Sequence, residues 1–132
     1  MTEWVKERSQ CSPAFIFDKL KAEIEQDVKS INELRVDKDF SFYFSLTSDL
    51  KCIVVSLHGT STNLRNPREI HETITVCIDG KAIVYNRNTE EKLRATLTLN
   101  EKGECRLKVN GSECELWRFR QMVLEELFFD IV

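Results

Sequence analysis

The sequence predicts an α+β fold: an antiparallel meander of about six strands, with an N-terminal and a C-terminal helix packed on one of its faces. Three observations point to it. Apolar residues recur at steps of three and four near both ends of the chain. Between them, from Asp39 to Val109, the apolar period is two. The links between the apolar runs are short, and two carry the turn pairs Asp79-Gly80 and Asn110-Gly111. Short links favour antiparallel neighbours in chain order.

The first helix starts at a readable signal. Ser12 can cap free amides, and Pro13 suits the first helical position because its missing N–H is not needed there. Phe17, Leu20, Ile24, Val28, Ile31 and Leu34 then form one apolar stripe, so the helix is expected from about Pro13 to Arg35. Trp4 and Val5 precede it and suit a short extra turn.

The strands follow. "FSFYFSL" sets Phe40, Phe42 and Phe44 on one face and Ser41, Tyr43 and Ser45 on the other. "CIVVSLH" is the second strand, with either Cys52, Val54 and Ser56 or Ile53, Val55 and Leu57 facing the helices. "ETITVCI" is the third, and it turns at Asp79-Gly80 so that Ile78 meets Lys81, Val76 meets Ile83 and Ile74 meets Tyr85. "LRATLTL" and the run from Cys105 to Val109 complete the sheet. The end is read as a tight turn after Val109, with "SECE" as a capping box that opens a helix from about Glu113 to Asp130.

Composition bounds the function. A chain of 132 residues, 42% hydrophobic and 31% charged with only four glycines and two prolines, suits a single globular domain over 1–132. Its net charge of −3, with bases interleaved among acids, argues against a nucleic-acid partner. The apolar runs are too short for a bilayer, and "MTEWVKERSQ" lacks the form of a signal peptide. No membrane partner is expected. The five cysteines are odd in number, scattered and without a CxxC pair, and Cys52 and Cys77 sit in apolar strand patterns. That usage predicts free thiols and a cytoplasmic protein.

The chain carries no recognisable catalytic, nucleotide or metal signature. "HGTST" at His58 lacks the flanking glycines of a nucleophile elbow, and no phosphate-cradling Gly-Lys-Ser/Thr occurs. No catalytic residue, metal or cofactor is therefore assigned. The loop inside Val55–Thr73 still gathers both histidines of the chain at its ends. Together with the hydroxyl-rich sheet face, it nominates Tyr43, His58, Arg65, Arg68 and His71 for a small-ligand cup. The stronger indication is the last helix. "ELWRFRQMVLEELFFDIV" carries more apolar surface than one sheet requires, which nominates Trp117, Leu124, Phe128 and Phe129 for an interface. The expectation is a non-enzymatic interaction module, a homodimer or the binder of a protein partner, with a small-ligand-binding protein or enzyme using a cup on the open sheet face and the 58–71 loop as the alternative.

Overall fold

The computed structural model describes residues 3–35, 40–61 and 68–130. In chain order these form α1 (Trp4–Gln10), α2 (Pro13–Leu34), β1 (Phe40–Leu46), β2 (Cys52–Ser61), β3 (Arg68–Asp79), β4 (Ala82–Arg87), β5 (Glu90–Leu99), β6 (Cys105–Val109), β7 (Ser112–Cys114) and α3 (Leu116–Glu125), and a π-helical turn, Glu126–Asp130, continues α3. The strands make one antiparallel sheet in the order β1-β2-β3-β4-β5-β6-β7. The expected meander is present with one more strand than expected. Among the described residues, no helix is long and apolar enough to cross a membrane.

Local chemistry places α2 as expected. Ser12 accepts a hydrogen bond from the Phe15 amide at 3.2 Å, and Pro13 opens the helix. Phe17, Leu20, Ile24, Val28 and Ile31 are buried against the sheet. Leu34, the last member of the stripe, is instead 78% exposed. The helix ends there, and nothing among the described residues covers that side chain.

The sheet lays Phe40, Phe42, Ile53, Val55, Leu57, Ile74, Val76, Ile83, Tyr85 and Leu107 into the core beneath the helices. This resolves strand two: Ile53, Val55 and Leu57 face inward, and Cys52, Val54 and Ser56 outward. Asn32 of α2 seals the free edge of β1, donating to the Phe42 carbonyl at 2.9 Å and accepting from the Phe42 amide at 3.0 Å. An edge strand so occupied cannot pair there with another chain.

Two turns depart from the sequence reading. The hairpin between β3 and β4 turns on Gly80-Lys81, with Asp79 opposite Ala82, so Ile78 meets Ile83 and Val76 meets Tyr85. Gly80 takes φ +60, the position a hairpin turn with glycine first demands. The shift from the expected register is two residues, so every side chain keeps its face. At the C-terminal end the hairpin wins over the capping box. Asn110 and Gly111 both take positive φ, Ser112 enters β7 opposite Val109, and α3 starts only at Leu116. Glu115 caps α3 without a side-chain hydrogen bond.

The cysteines depart further. Cys11 is bonded to Cys105 (Cα–Cα 5.4 Å) and Cys52 to Cys77 (Cα–Cα 4.1 Å), which leaves Cys114 free and overturns the expected set of five thiols. Cys52 and Cys77 stand directly opposite each other on β2 and β3, at the close spacing of an antiparallel pair. Their disulfide faces away from the helices. Cys11, in the link between α1 and α2, reaches across to the first residue of β6.

Candidate functional site

Residues nominated from the sequence fall on opposite faces of the sheet. On the helix-free face, His58 and His71 are direct partners across β2 and β3, with ring centroids 4.1 Å apart. Tyr43 of β1 meets His58 edge-on at 5.4 Å, and His71 Nε2 lies 3.3 Å from Thr73 Oγ1. The histidines are thus inside strands and not at the ends of a loop, because β2 runs on to Ser61 and β3 begins at Arg68. Arg65 lies outside the described residues, and Arg68 is placed only by its backbone, opposite Ser61. The row Tyr43, His58, His71 crosses β1, β2 and β3. Among the described residues, no group of three or more metal-ligating side chains is gathered.

The helical side carries a groove. Along it α2 contributes Asp27, Ser30, Ile31 and Leu34, and α3 with its π-turn contributes Trp117, Leu124, Phe128 and Phe129. Its volume is about 430 Å³. Leu124 is buried and forms the floor. Phe128 packs edge-on against Phe42 at 4.9 Å, so it is anchored in the core on one side. Trp117 and Phe129 are 56% and 65% exposed and stand along the rim with Leu34. Of the four residues nominated for an interface, two therefore project and two line the floor.

Ion pairs tie the two walls to each other and to the sheet. Arg120 of α3 bridges to Glu23 and, at 2.7 Å, to Asp27 of α2. Arg87 at the end of β4 binds Glu126, which ties the π-turn to the sheet and, with burial of Leu127, fixes where Phe128 and Phe129 emerge. Partial burial pushes the Asp27 carboxyl above the ordinary carboxylate range, Arg120 pulls it back, and the neighbouring Glu23 charge adds to the rise. The net rise means that the folded state holds neutral Asp27 better than ionised Asp27. The cost of ionising it is absent below the unfolded value and is fully present once pH exceeds the folded one. Asp27→Asn should consequently leave the thermal midpoint at neutral pH unchanged or slightly higher, and should flatten the loss of stability as pH rises above the ordinary carboxylate value. A midpoint several degrees lower at neutral pH would show instead that the ionised pair with Arg120 is a net stabiliser.

A second cleft, about 540 Å³, lies between α1, the start of α2, β6 and α3. It is bordered by Glu7 and Gln10 of α1, by Cys105 and Cys114, and by Trp117 and Arg120, which it shares with the groove. A third depression on the charged edge runs from Thr98 to Glu113. None of the three includes Tyr43, His58 or His71.

Comparison of the chain with known protein families, with curated proteins and with solved structures finds no match. Sequence reasoning missed Leu34 and Ile31 as groove residues. Their helical spacing reads as core stripe, yet Leu34, at the last position of α2, is exposed.

Proposed function

We propose that the chain is a non-enzymatic interaction domain whose α2–α3 groove docks a second protein chain, and that this second chain is another copy of itself. The observation that carries the reading is the apolar groove with Trp117, Phe129 and Leu34 projecting along its rim. Aromatic side chains carry about 150–250 Å² each. At the exposures given above, these three residues leave roughly 300–400 Å² of apolar surface in one patch, the size of the largest apolar patch on a typical monomer, which is often functional. A stable interface buries about 800 Å² per partner, of which a little over half, about 450 Å², is apolar. The patch supplies most of that.

Charge supports a second copy as the occupant. Arg118 and Glu125 are both exposed and lie two helical turns apart beside the rim of α3. Two α3 helices crossing antiparallel near Gln121 would set Arg118 of each copy beside Glu125 of the other. The same two-fold crossing brings Trp117 of each toward Phe129 of the other, as an interface of identical patches requires. A small-ligand site on the outer face is the second reading, carried by the ring row of Tyr43, His58 and His71. The two disulfides favour an oxidising compartment over the cytoplasm expected from the cysteine count.

Sedimentation velocity at micromolar concentration tests the proposal. The unmodified chain should sediment as a dimer of the 15.4 kDa unit. Trp117→Glu with Phe129→Glu should sediment as a monomer with an unchanged far-ultraviolet spectrum, since both side chains are surface residues of the isolated chain. A clean monomer for the unmodified protein would rule out the homodimer.

A further inference from the structure

We propose that Cys114 and the Cys11–Cys105 disulfide form a thiol–disulfide exchange site, whose operation releases α1 from the sheet. The placement follows from strand register. Leu107 of β6 stands opposite Cys114 of β7, and Cys105 lies two residues before Leu107 on the same strand. Side chains two apart share a face, so Cys105 and Cys114 are diagonal neighbours on the helix side. Both border the second cleft, whereas Cys11 does not and is buried. The sulfur of the bond that faces Cys114 is therefore that of Cys105.

The step balances without an external oxidant. The Cys114 thiol loses its proton to solvent, and its sulfur attacks Cys105 Sγ. The Cys105–Cys114 bond forms, the Cys11–Cys105 bond breaks, and Cys11 leaves as a thiolate that takes a proton from solvent. One thiol and one disulfide are present before and after. The geometric demand is small. Diagonal neighbours in a sheet sit about 7–8 Å apart at Cα, and a disulfide spans about 5.5–6 Å, so β7 must shift by roughly 2 Å. As an edge strand of three residues, β7 pairs on one side only and can make that shift. Burial pushes the Cys114 thiol above its ordinary value, opposed by Arg118, so the attacking thiolate is scarce at neutral pH and exchange quickens as pH rises.

The bond matters because α1 has little else to hold it. None of its residues is buried, and Trp4 and Val5 are largely exposed. It rests against β6 beside the Cys11–Cys105 link. Once Cys11 is free, Glu7 and Gln10 no longer wall the cleft, which then opens toward Trp117 and Arg120 and joins the groove. Exchange stands on the cysteine geometry alone. Only this last consequence, a docking surface enlarged by the exchange, rests on the function proposed above.

Peptide mapping of the folded, unmodified protein tests the exchange without reference to docking. The protein is incubated without reductant at neutral and at mildly alkaline pH, then pulsed with iodoacetamide under denaturing conditions. Expected is one alkylated thiol per chain, divided between Cys114 and Cys11, with the Cys11 share appearing faster at the higher pH. In Cys114→Ser the label on Cys11 should be lost. Label confined to Cys114 at both pH values would overturn the proposal. Label on Cys105 would overturn the assignment of Cys105 as the attacked sulfur, because the bond would then have moved to Cys11–Cys114.

Discussion

Replacing Cys11 and Cys105 together by serine is expected to destabilise the protein by about 4–5 kcal/mol, the largest loss available from any single link in the chain. The two cysteines are 94 residues apart, so the bond closes most of the sequence into one loop. In the chain-entropy account, a cross-link restricts the unfolded state more as the loop lengthens. Cys52 and Cys77 are only 25 residues apart and already joined by strand pairing, so their replacement should cost less, roughly 3 kcal/mol. Against a total stability of about 5–15 kcal/mol for a domain of this kind, losing both, about 7–8 kcal/mol together, removes half or more of it and unfolds a domain in the lower part of that range at room temperature. Thermal unfolding followed by circular dichroism would order the three: unmodified highest, then Cys52→Ser with Cys77→Ser, then Cys11→Ser with Cys105→Ser. A thiol count of one per denatured, non-reduced chain must accompany this order. A fall of less than about 1 kcal/mol for the Cys11 and Cys105 pair would show that the long link contributes no restraint.

Why the disulfides were not legible from the sequence is a matter of what register can reveal. Cys52 and Cys77 read as small hydrophobes because each sits among valines and isoleucines, and a free thiol behaves as one. Their pairing depends on which residue of β2 opposes which of β3, and the link between those strands carries no turn signal that fixes it. Cys11 and Cys105 are farther apart still, and only the packing of α1 against β6 joins them. The elements themselves were legible where local chemistry and period agree. Ser12-Pro13 starts α2, and the alternation around Phe42 and Val76 gives the faces. Where two local signals competed, at Asn110-Gly111 and "SECE", the turn with two positive-φ positions prevailed and added β7.

Asn88 and Thr89 show the same limit. Both take positive φ and close the β4–β5 hairpin, which starts β5 at Glu90, earlier than the apolar pattern indicates. The turn is held from the side: the Asn88 amide donates to the Thr73 carbonyl at 3.1 Å, and Asn88 Oδ1 accepts from the Thr73 amide at 3.3 Å. A neighbour fifteen positions away supplies the reason, and no short window of sequence contains it. The groove was half legible for a related cause. The excess apolar surface of the last helix is plain in the sequence, but which of its side chains project depends on where Arg87 and Arg120 anchor it.

Phe119 and Trp117 put that division to the test, because they sit two residues apart on α3 and face opposite ways. Successive helical residues turn by about 100°, so two steps carry a side chain to the far side of the helix. Phe119 is fully buried under α3, whereas Trp117 stands at the rim of the groove. Phe119→Ala should therefore lose about 3–5 kcal/mol of stability, the transfer cost of the ring plus the cavity it leaves. Trp117→Ala removes a larger side chain and should nevertheless change stability by no more than about 1 kcal/mol, since water already reaches most of it. Urea unfolding of the two variants, taken at a concentration where the protein is monomeric, measures both. Association should respond in the reverse order: Trp117→Ala weakens the dimer at least tenfold, about 1.4 kcal/mol, because aromatic anchors dominate such interfaces. Phe119→Ala, at a temperature where it remains folded, should bind less severely impaired, since its ring never meets the second chain. If Trp117→Ala cost as much stability as Phe119→Ala, Trp117 would be a packing residue of this chain, and the rim it forms would have no part in docking.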